Sequence, residues 1–548
     1  MTPPQHPPII INRPSDLPGI KPPENALKQW KAKDIVKYHD ALLSVMAWPE
    51  NKEQLQQAKT EMVRLTSIIK EIISVDKMMD YKLSGSGIAG TELTGCFSYA
   101  ITRWLVNDFS NDLELHSSEA NPETVRLFFL QLIPSIEYES VTTGELGLIQ
   151  RIRKIKGKNN STDIKWLISL FETVAISYHA KEFLFNELKI FVTWKLNLPF
   201  ASRSYSCLPQ KNIFYDPKLL KATDVKKIGQ RKLPLPNRLS IKQKKQLVDV
   251  AKSTLLFIYR ETDPFTFASA DAVKLFTLEK GYSIGLYSMQ KGHRLSIESY
   301  IGYLVFKNGI PVSYGGGWIF GKRCQFGINI LEPFRGSESG YIFSLLIRVY
   351  HQYFDVNRFV VKPYQFGKNN KEALKSGAFW FYYKHGFRPE DVQLQKLADD
   401  EWDKKAIDKR YRTSIDLLKK FTSSNLVLLL SKKSVPVFDA SVVSLAITSY
   451  INQQFNGNRN KAVAASEKKT ITELNIKNLT SWNTYEREAL IQWSLLVQAM
   501  LDLSKWKMEE KKQLLKLIKS KGDDEELNFI KMLQGHRRLW KELCNKLS

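Results

Sequence analysis

Acidic residues are what this chain is short of. Across 548 residues, 56 Asp and Glu stand against 81 Lys and Arg, a formal net charge of +25. So basic a chain suits an anionic partner, whether nucleic acid, acidic membrane or phosphate-bearing ligand, or else carries a solvated basic surface. Cysteine is scarce too. Cys96, Cys207, Cys324 and Cys544 lie far apart and form no CxxC pair. That excludes a clustered-cysteine zinc site and a disulfide scaffold and fits a reducing compartment. No stretch of about 18 consecutive apolar residues exists, so no transmembrane helix is expected. The proline-bearing start has no apolar core of signal-peptide type. No internal repeat is found. His179 has no His or Cys at ligand spacing, and no metal is expected. A soluble cytoplasmic protein is the expectation.

What is present is ordinary globular material: 43% hydrophobic residues, and a length that suits several domains. Residues 1–24 are rich in proline, which fixes φ and removes donors, and read as an extended tail. From 25 to 199 the chain reads helical: Leu55, Met62, Leu65, Ile69 and Ile72 share one face, and helices are expected at Asn121–Leu132, Thr143–Arg153 and Asp163–Lys195. Gly85, Gly87 and Gly90 interrupt this region; nothing before them reads as a buried strand, so they read as a loop rather than a nucleotide cradle. Arg151, Arg153, Lys154, Lys156 and Lys158 are expected in a basic loop. Residues 200–244 read as a basic linker or arm, with Lys226, Lys227, Arg231, Lys232, Arg238, Lys242, Lys244 and Lys245 across its end.

From about 245 to 432 the pattern changes. A helix is expected at Gln246–Arg260. Tyr282–Met289, Ser299–Phe306, Pro311–Phe320 and Arg323–Leu331 are β-rich. Asn308-Gly309 between two of them is a hairpin signal, because both residues tolerate φ > 0. Gly315-Gly316-Gly317 inside a strand marks a bulge or a place where something approaches the backbone. Glu390–Asp403 reads as acidic and irregular, and Leu426–Leu430 as a short closing strand. Residues 433–548 read as a helical bundle, with Asn456–Lys469 a flexible connector.

The centre of the chain is Cys324–Pro389: strand, polar loop, amphipathic helix, a strand at Arg358–Lys362, and a helix ending in Tyr382-Tyr-Lys-His-Gly-Phe387. A loop at a helix N-terminus can hold an anion with free N–H groups and the dipole. Arg335-Gly336-Ser337-Glu338-Ser339-Gly340, followed by Ala378, Tyr382, Lys384, Gly386 and Phe387, resembles the two motifs of the GNAT superfamily, the acyl-CoA-dependent N-acyltransferases. The resemblance covers roughly a third of the chain. It implies an α/β fold: a central mixed, mostly antiparallel sheet with flanking helices, here with helical N-terminal and C-terminal domains added.

The resemblance also implies acyl transfer from acyl-CoA, such as acetyl-CoA, to a small-molecule or peptide amine. Arg335 through Gly340 would cradle the pyrophosphate, and a backbone N–H near the end of the Arg323–Leu331 strand would polarise the carbonyl. The strand is expected to splay at Pro333. Tyr382 would protonate the departing thiolate, or else pack as one ring of the Phe379–Tyr383 aromatic run. Glu332 is the first candidate base; Glu338 and His385 follow, His385 also being readable as a solvent-facing residue. Glu338 stands where the family has a small residue, and its carboxylate is expected to repel pyrophosphate. Two other readings use the same residues: a non-catalytic binding protein on this fold, and a transferase that uses aminoacyl-tRNA. RNA or another polyanion could then sit on the basic arms.

Overall fold

Helical spacing in the first 90 residues produces helices. Ala32–Ala47 comes first, then Lys52–Val75, where the Asn51 side chain caps Gln54 N–H, then Lys77–Leu83, capped by Asp76. The computed structural model describes residues 27–198, 201–216, 218–220, 224–336, 338–431 and 438–547; the proline-rich tail lies outside them. The chain divides into two compact units. One comprises residues 1–217, 249–266 and 307–311; the other comprises 218–248, 267–306 and 312–548. No helix among the described residues is long and apolar enough to cross a membrane.

The first unit is not all helical. Glycines 85, 87 and 90, all at positive φ, make a loop between helix Lys77–Leu83 and strand β1 (Glu92–Gly95). Strand β2 is Leu113–Ser118 and β3 is Ile190–Lys195; the three pair antiparallel in the order β1-β3-β2. The expected long helix at 163–195 is therefore two helices, Asp163–Thr173 and Tyr178–Glu187, and a strand. Lys189 at φ +43° ends the helical run. Beyond it, Ile190, Val192 and Trp194 alternate into the core, a β period rather than a helical one. Trp104, Phe109, Phe128, Phe171 and Trp194 fill that core.

The basic run is a helix, Leu148–Lys156, not a loop. Arg151 is 1% exposed and donates to the carbonyls of Val141, Gly144 and Leu146. Arg153 and Lys156 both pair with Asp163. Most of this expected polyanion contact is thus used internally.

The second unit is built on a nine-stranded sheet. Its strands are β4 (Lys274–Thr277), β5 (Tyr282–Tyr287), β6 (Ser299–Lys307), β7 (Ile310–Phe320), β8 (Arg323–Phe326), β9 (Asn329–Ile330), β10 (Arg358–Val361), β11 (Arg388–Pro389) and β12 (Leu426–Leu429). The order is β11-β12-β10-β8-β7-β6-β5-β4, with β9 on β7. Asn308 (φ +48°) and Gly309 (φ +85°) connect β6 to β7, as the hairpin signal predicts. β8 and β10 pair in parallel; β4/β5, β7/β8, β10/β12 and β11/β12 pair antiparallel. The parallel pair needs a crossover, supplied by helix Ser339–Phe354, whose residues 341–350 are all buried.

Two more expectations change here. The acidic stretch after Pro389 is a helix, Val392–Ile407, capped by Asp391. The expected connector at 456–469 is a helix, Arg459–Glu473, capped by Asn458. The C-terminal helices pack around Trp493, Leu514, Ile518 and Phe529. Residues 218–220 and 224–240 lie along this unit as an arm. Gln352 holds it through Gly229 O, Arg231 O and Leu233 N–H. Asn237 N–H donates to Leu275 O of edge strand β4 at 2.7 Å, which covers part of an otherwise open ladder.

Candidate active site

The site begins where a strand is interrupted. β8 pairs with β7 from Phe320↔Arg323 to Gly317↔Phe326. Pairing resumes only at Tyr314↔Asn329 and Ser313↔Ile330. β8 and β10 stay together only to Gln325↔Val360. The expected single strand Arg323–Leu331 is thus two short ones, and the ladder breaks at Gly327-Ile328. The sequence reading placed the opening at Pro333; Pro333 instead lies in a 3₁₀ turn, Glu332–Phe334.

The released peptide unit is held at its carbonyl end. Gly327 C=O accepts from the Tyr303 hydroxyl at 2.6 Å. At the opposite end, Ile328 N–H lies beside the Tyr382 hydroxyl and favours its ionised form, a smaller effect than burial. Tyr303 can cross β7 because Gly315 has no side chain; a methyl there would overlap its hydroxyl. Gly316 and Gly317 serve Tyr300 and Tyr350 in the same way, with added Cβ atoms only 2.6 and 2.7 Å from those rings. What approaches the three glycines is therefore this chain's own tyrosines. Gln365 packs against Gly327, its amide carbon 3.1 Å from an added Cβ. Sequence reasoning missed Tyr303 and Gln365; the glycine triplet was the signal for the first, and nothing local marks the second.

Tyr382 sits on the short helix Ala378–Lys384 and is 3% exposed. Its ring packs on Phe343, Phe381 and Phe387, with centroids 5.4–5.8 Å apart. Burial pushes its phenol well above the ordinary value, so it is a proton-bearing group at neutral pH. His385 does not face solvent. It is 6% exposed, its Nδ1 lies 2.6 Å from Phe381 O, and burial pushes its pKa down. Glu332 is exposed at the start of the 3₁₀ turn, while Tyr382 is buried.

The candidate anion loop leads straight into helix Ser339–Phe354. Gly336 adopts φ +83°, and a Cβ there would meet nothing within 4 Å, so the backbone is open to approach. Arg335 is exposed and pairs with Glu372 at 3.0 Å. Ser337 lies outside the described residues. Ser339 and Gly340 form the first helical residues, with Glu338 as an N-cap that contributes no side-chain cap bond. Glu338 is the main correction. Its carboxylate is 1% exposed and accepts from Leu220 N–H at 2.8 Å and from the Tyr282 hydroxyl at 2.6 Å. The charge that was expected to repel pyrophosphate ties the arm and β5 to the helix start instead.

A second cluster has residue types suited to hydrolysis. Ser204 Oγ lies 3.0 Å from His39 Nε2, and His39 Nδ1 lies 3.1 Å from Asp40. His39 and Ser204 are 0% and 1% exposed, and Ser204 Oγ also accepts from Ala89 N–H. His39 and Ser204 are buried and bonded to one another, and Asp40 is also held by Arg203, so the cluster serves as a latch.

No family model, curated protein or solved structure matches the chain. The functional reading rests on geometry and chemistry alone.

Proposed function

We propose that the second unit is an N-acyltransferase of GNAT type that moves an acyl group from acyl-CoA to an amine. The observation that carries this reading is the opening at Gly327-Ile328. There the parallel strands β8 and β10 separate after Gln325↔Val360, and the buried Tyr382 phenol lies beside the freed Ile328 peptide. The strand order β10-β12-β11 and the glycine-bearing helix start at 335–340 agree with it. Acyl-CoA would supply the thioester. Ile328 N–H would polarise the thioester carbonyl. The amine nitrogen would add to that carbon, the C–S bond would break, and Tyr382 would give its proton to the thiolate. The amine proton would leave to water or to Glu332. Gly336 and the N–H groups at Ser339 and Gly340 would take the pyrophosphate with Arg335.

Titration calorimetry with acetyl-CoA and long-chain acyl-CoAs tests the reading directly. Binding is expected, and Arg335→Ala should weaken it by about 1.5 kcal/mol, the worth of one hydrogen bond to a charged group. Failure of every CoA ester to bind would end the acyl-CoA reading. A second reading, a non-catalytic binding protein on this fold, is favoured by one feature: Tyr382 is buried among Phe343, Phe381 and Phe387. Binding without release of free CoA in the presence of amines would select it.

A further inference from the structure

We propose that the arm at 225–245 docks the protein on an anionic lipid surface. Between Val225 and Val248 there is no Asp or Glu. Of the cations there, Arg231 pairs with Glu279, and Lys244 donates to Asp271 O. Lys226, Lys227, Lys232, Arg238 and Lys242 are exposed, and none has an acidic partner among the described residues. Two large aliphatic side chains stand among them, Leu235 at 89% and Ile241 at 80% exposure.

The arm is not a loose tail. Besides the bonds to Gln352 and β4, Lys232 O accepts from Arg348, and Asn237 Nδ2 donates to Thr277. The helix that follows starts with a reciprocal Ser240–Gln243 cap. An extended segment from Lys232 to Ile241 spans at most about 30 Å. It therefore presents a strip of cations and aliphatics already ordered, with little entropy left to lose on docking.

The mixture selects the partner. A phosphate backbone rewards cations, and single-stranded nucleic acid also rewards aromatic platforms; the arm has no aromatic residue. Exposed Leu and Ile gain nothing from phosphate. At a membrane interface they enter the acyl boundary while the neighbouring Lys and Arg meet anionic headgroups. This inference is independent of the acyltransferase reading.

Vesicle co-sedimentation of the full chain tests it. Binding is expected to phosphatidylcholine vesicles containing phosphatidylglycerol, not to phosphatidylcholine alone, and should fall at high salt. Arg238→Glu and Lys232→Glu should each lower partitioning by at least about five-fold, the effect of one lost headgroup attraction. Leu235→Ser with Ile241→Ser keeps the charge and should still weaken vesicle binding. All these side chains are exposed, so an unchanged Tm checks the fold. Absence of vesicle binding, or binding unaltered by all four substitutions, overturns the proposal. A total-RNA gel shift that loses affinity in the charge variants but not in the Leu/Ile pair, with no vesicle binding, assigns the arm to RNA instead.

Discussion

Gly315 shows what one missing methyl can decide. The Tyr303 ring lies over it so that its hydroxyl reaches Gly327 O. Gly315→Ala should cost about 1–3 kcal/mol by overpacking, read as a lower urea midpoint at constant m. Tyr303→Phe in the Gly315→Ala background should cost less than in wild type, because the bond to Gly327 is already lost; additive costs would deny the clamp. Tyr382 separates two roles. As general acid, Tyr382→Phe should lower kcat by ~10²-fold or more while leaving stability nearly unchanged, since only a proton donor is lost. Tyr382→Ala should destabilise by roughly 3–5 kcal/mol through the cavity left among Phe343, Phe381 and Phe387. Unaltered turnover in an active Phe variant would remove Tyr382 from the chemistry. Glu338→Gly, instead of admitting a phosphate, should strip Leu220 N–H and Tyr282 of their acceptor. The expected loss is at least about 1.5–3 kcal/mol, with faster amide exchange at 218–220 and no gain in CoA affinity.

Elements in the first unit are joined by buried polar latches. His39 on helix Ala32–Ala47 reaches Ser204, which also takes Ala89 N–H from the glycine loop. Arg203 binds Asp40 at 2.5 Å and donates to Ser86 O. Burial holds the His39 pKa below its ordinary value. The unfolded chain therefore takes a proton near pH 6.5 that the folded chain refuses. The contribution is fully present above about pH 6.5 and is lost as pH falls below it, by at most about 1.4 kcal/mol per pH unit. Urea midpoints from pH 7.5 to 5 should fall for wild type and fall less for His39→Gln; equal slopes would place the acid sensitivity elsewhere.

At the scale of the whole molecule, two units with separate cores predict unfolding that is not two-state. The first core centres on Trp194, and the C-terminal helices of the second unit on Trp493. Calorimetry should give a van't Hoff enthalpy smaller than the calorimetric one. Trp194→Leu should lower one component and Trp493→Leu the other. A single transition shifted equally by both would mean the cores melt together.

The sequence alone determined what depends on local chemistry. The Asn308-Gly309 hairpin, the helix that begins at Asn121, the β-rich centre and the helical C-terminal region follow from turn residues, capping oxygens and period. It also placed a glycine-bearing loop at a helix start and Tyr382 on a helix ahead of Gly386-Phe387. Tertiary structure decided the rest, because those features depend on partners distant in sequence. Ile190–Lys195 is a strand because β1 and β2 flank it on either side, although its approach reads helical. Arg153 and Lys156 are spent on Asp163, which only the fold of their own helices brings near. Glu338 changes from a repelling charge to an anchor because Leu220 and Tyr282, more than 50 residues away, converge on it. The opening at Gly327-Ile328 exists because β10 leaves β8 after Gln325 and Tyr303 crosses a strand of glycines; pairing and side-chain reach across strands set both, and neither is written in a local run of residues.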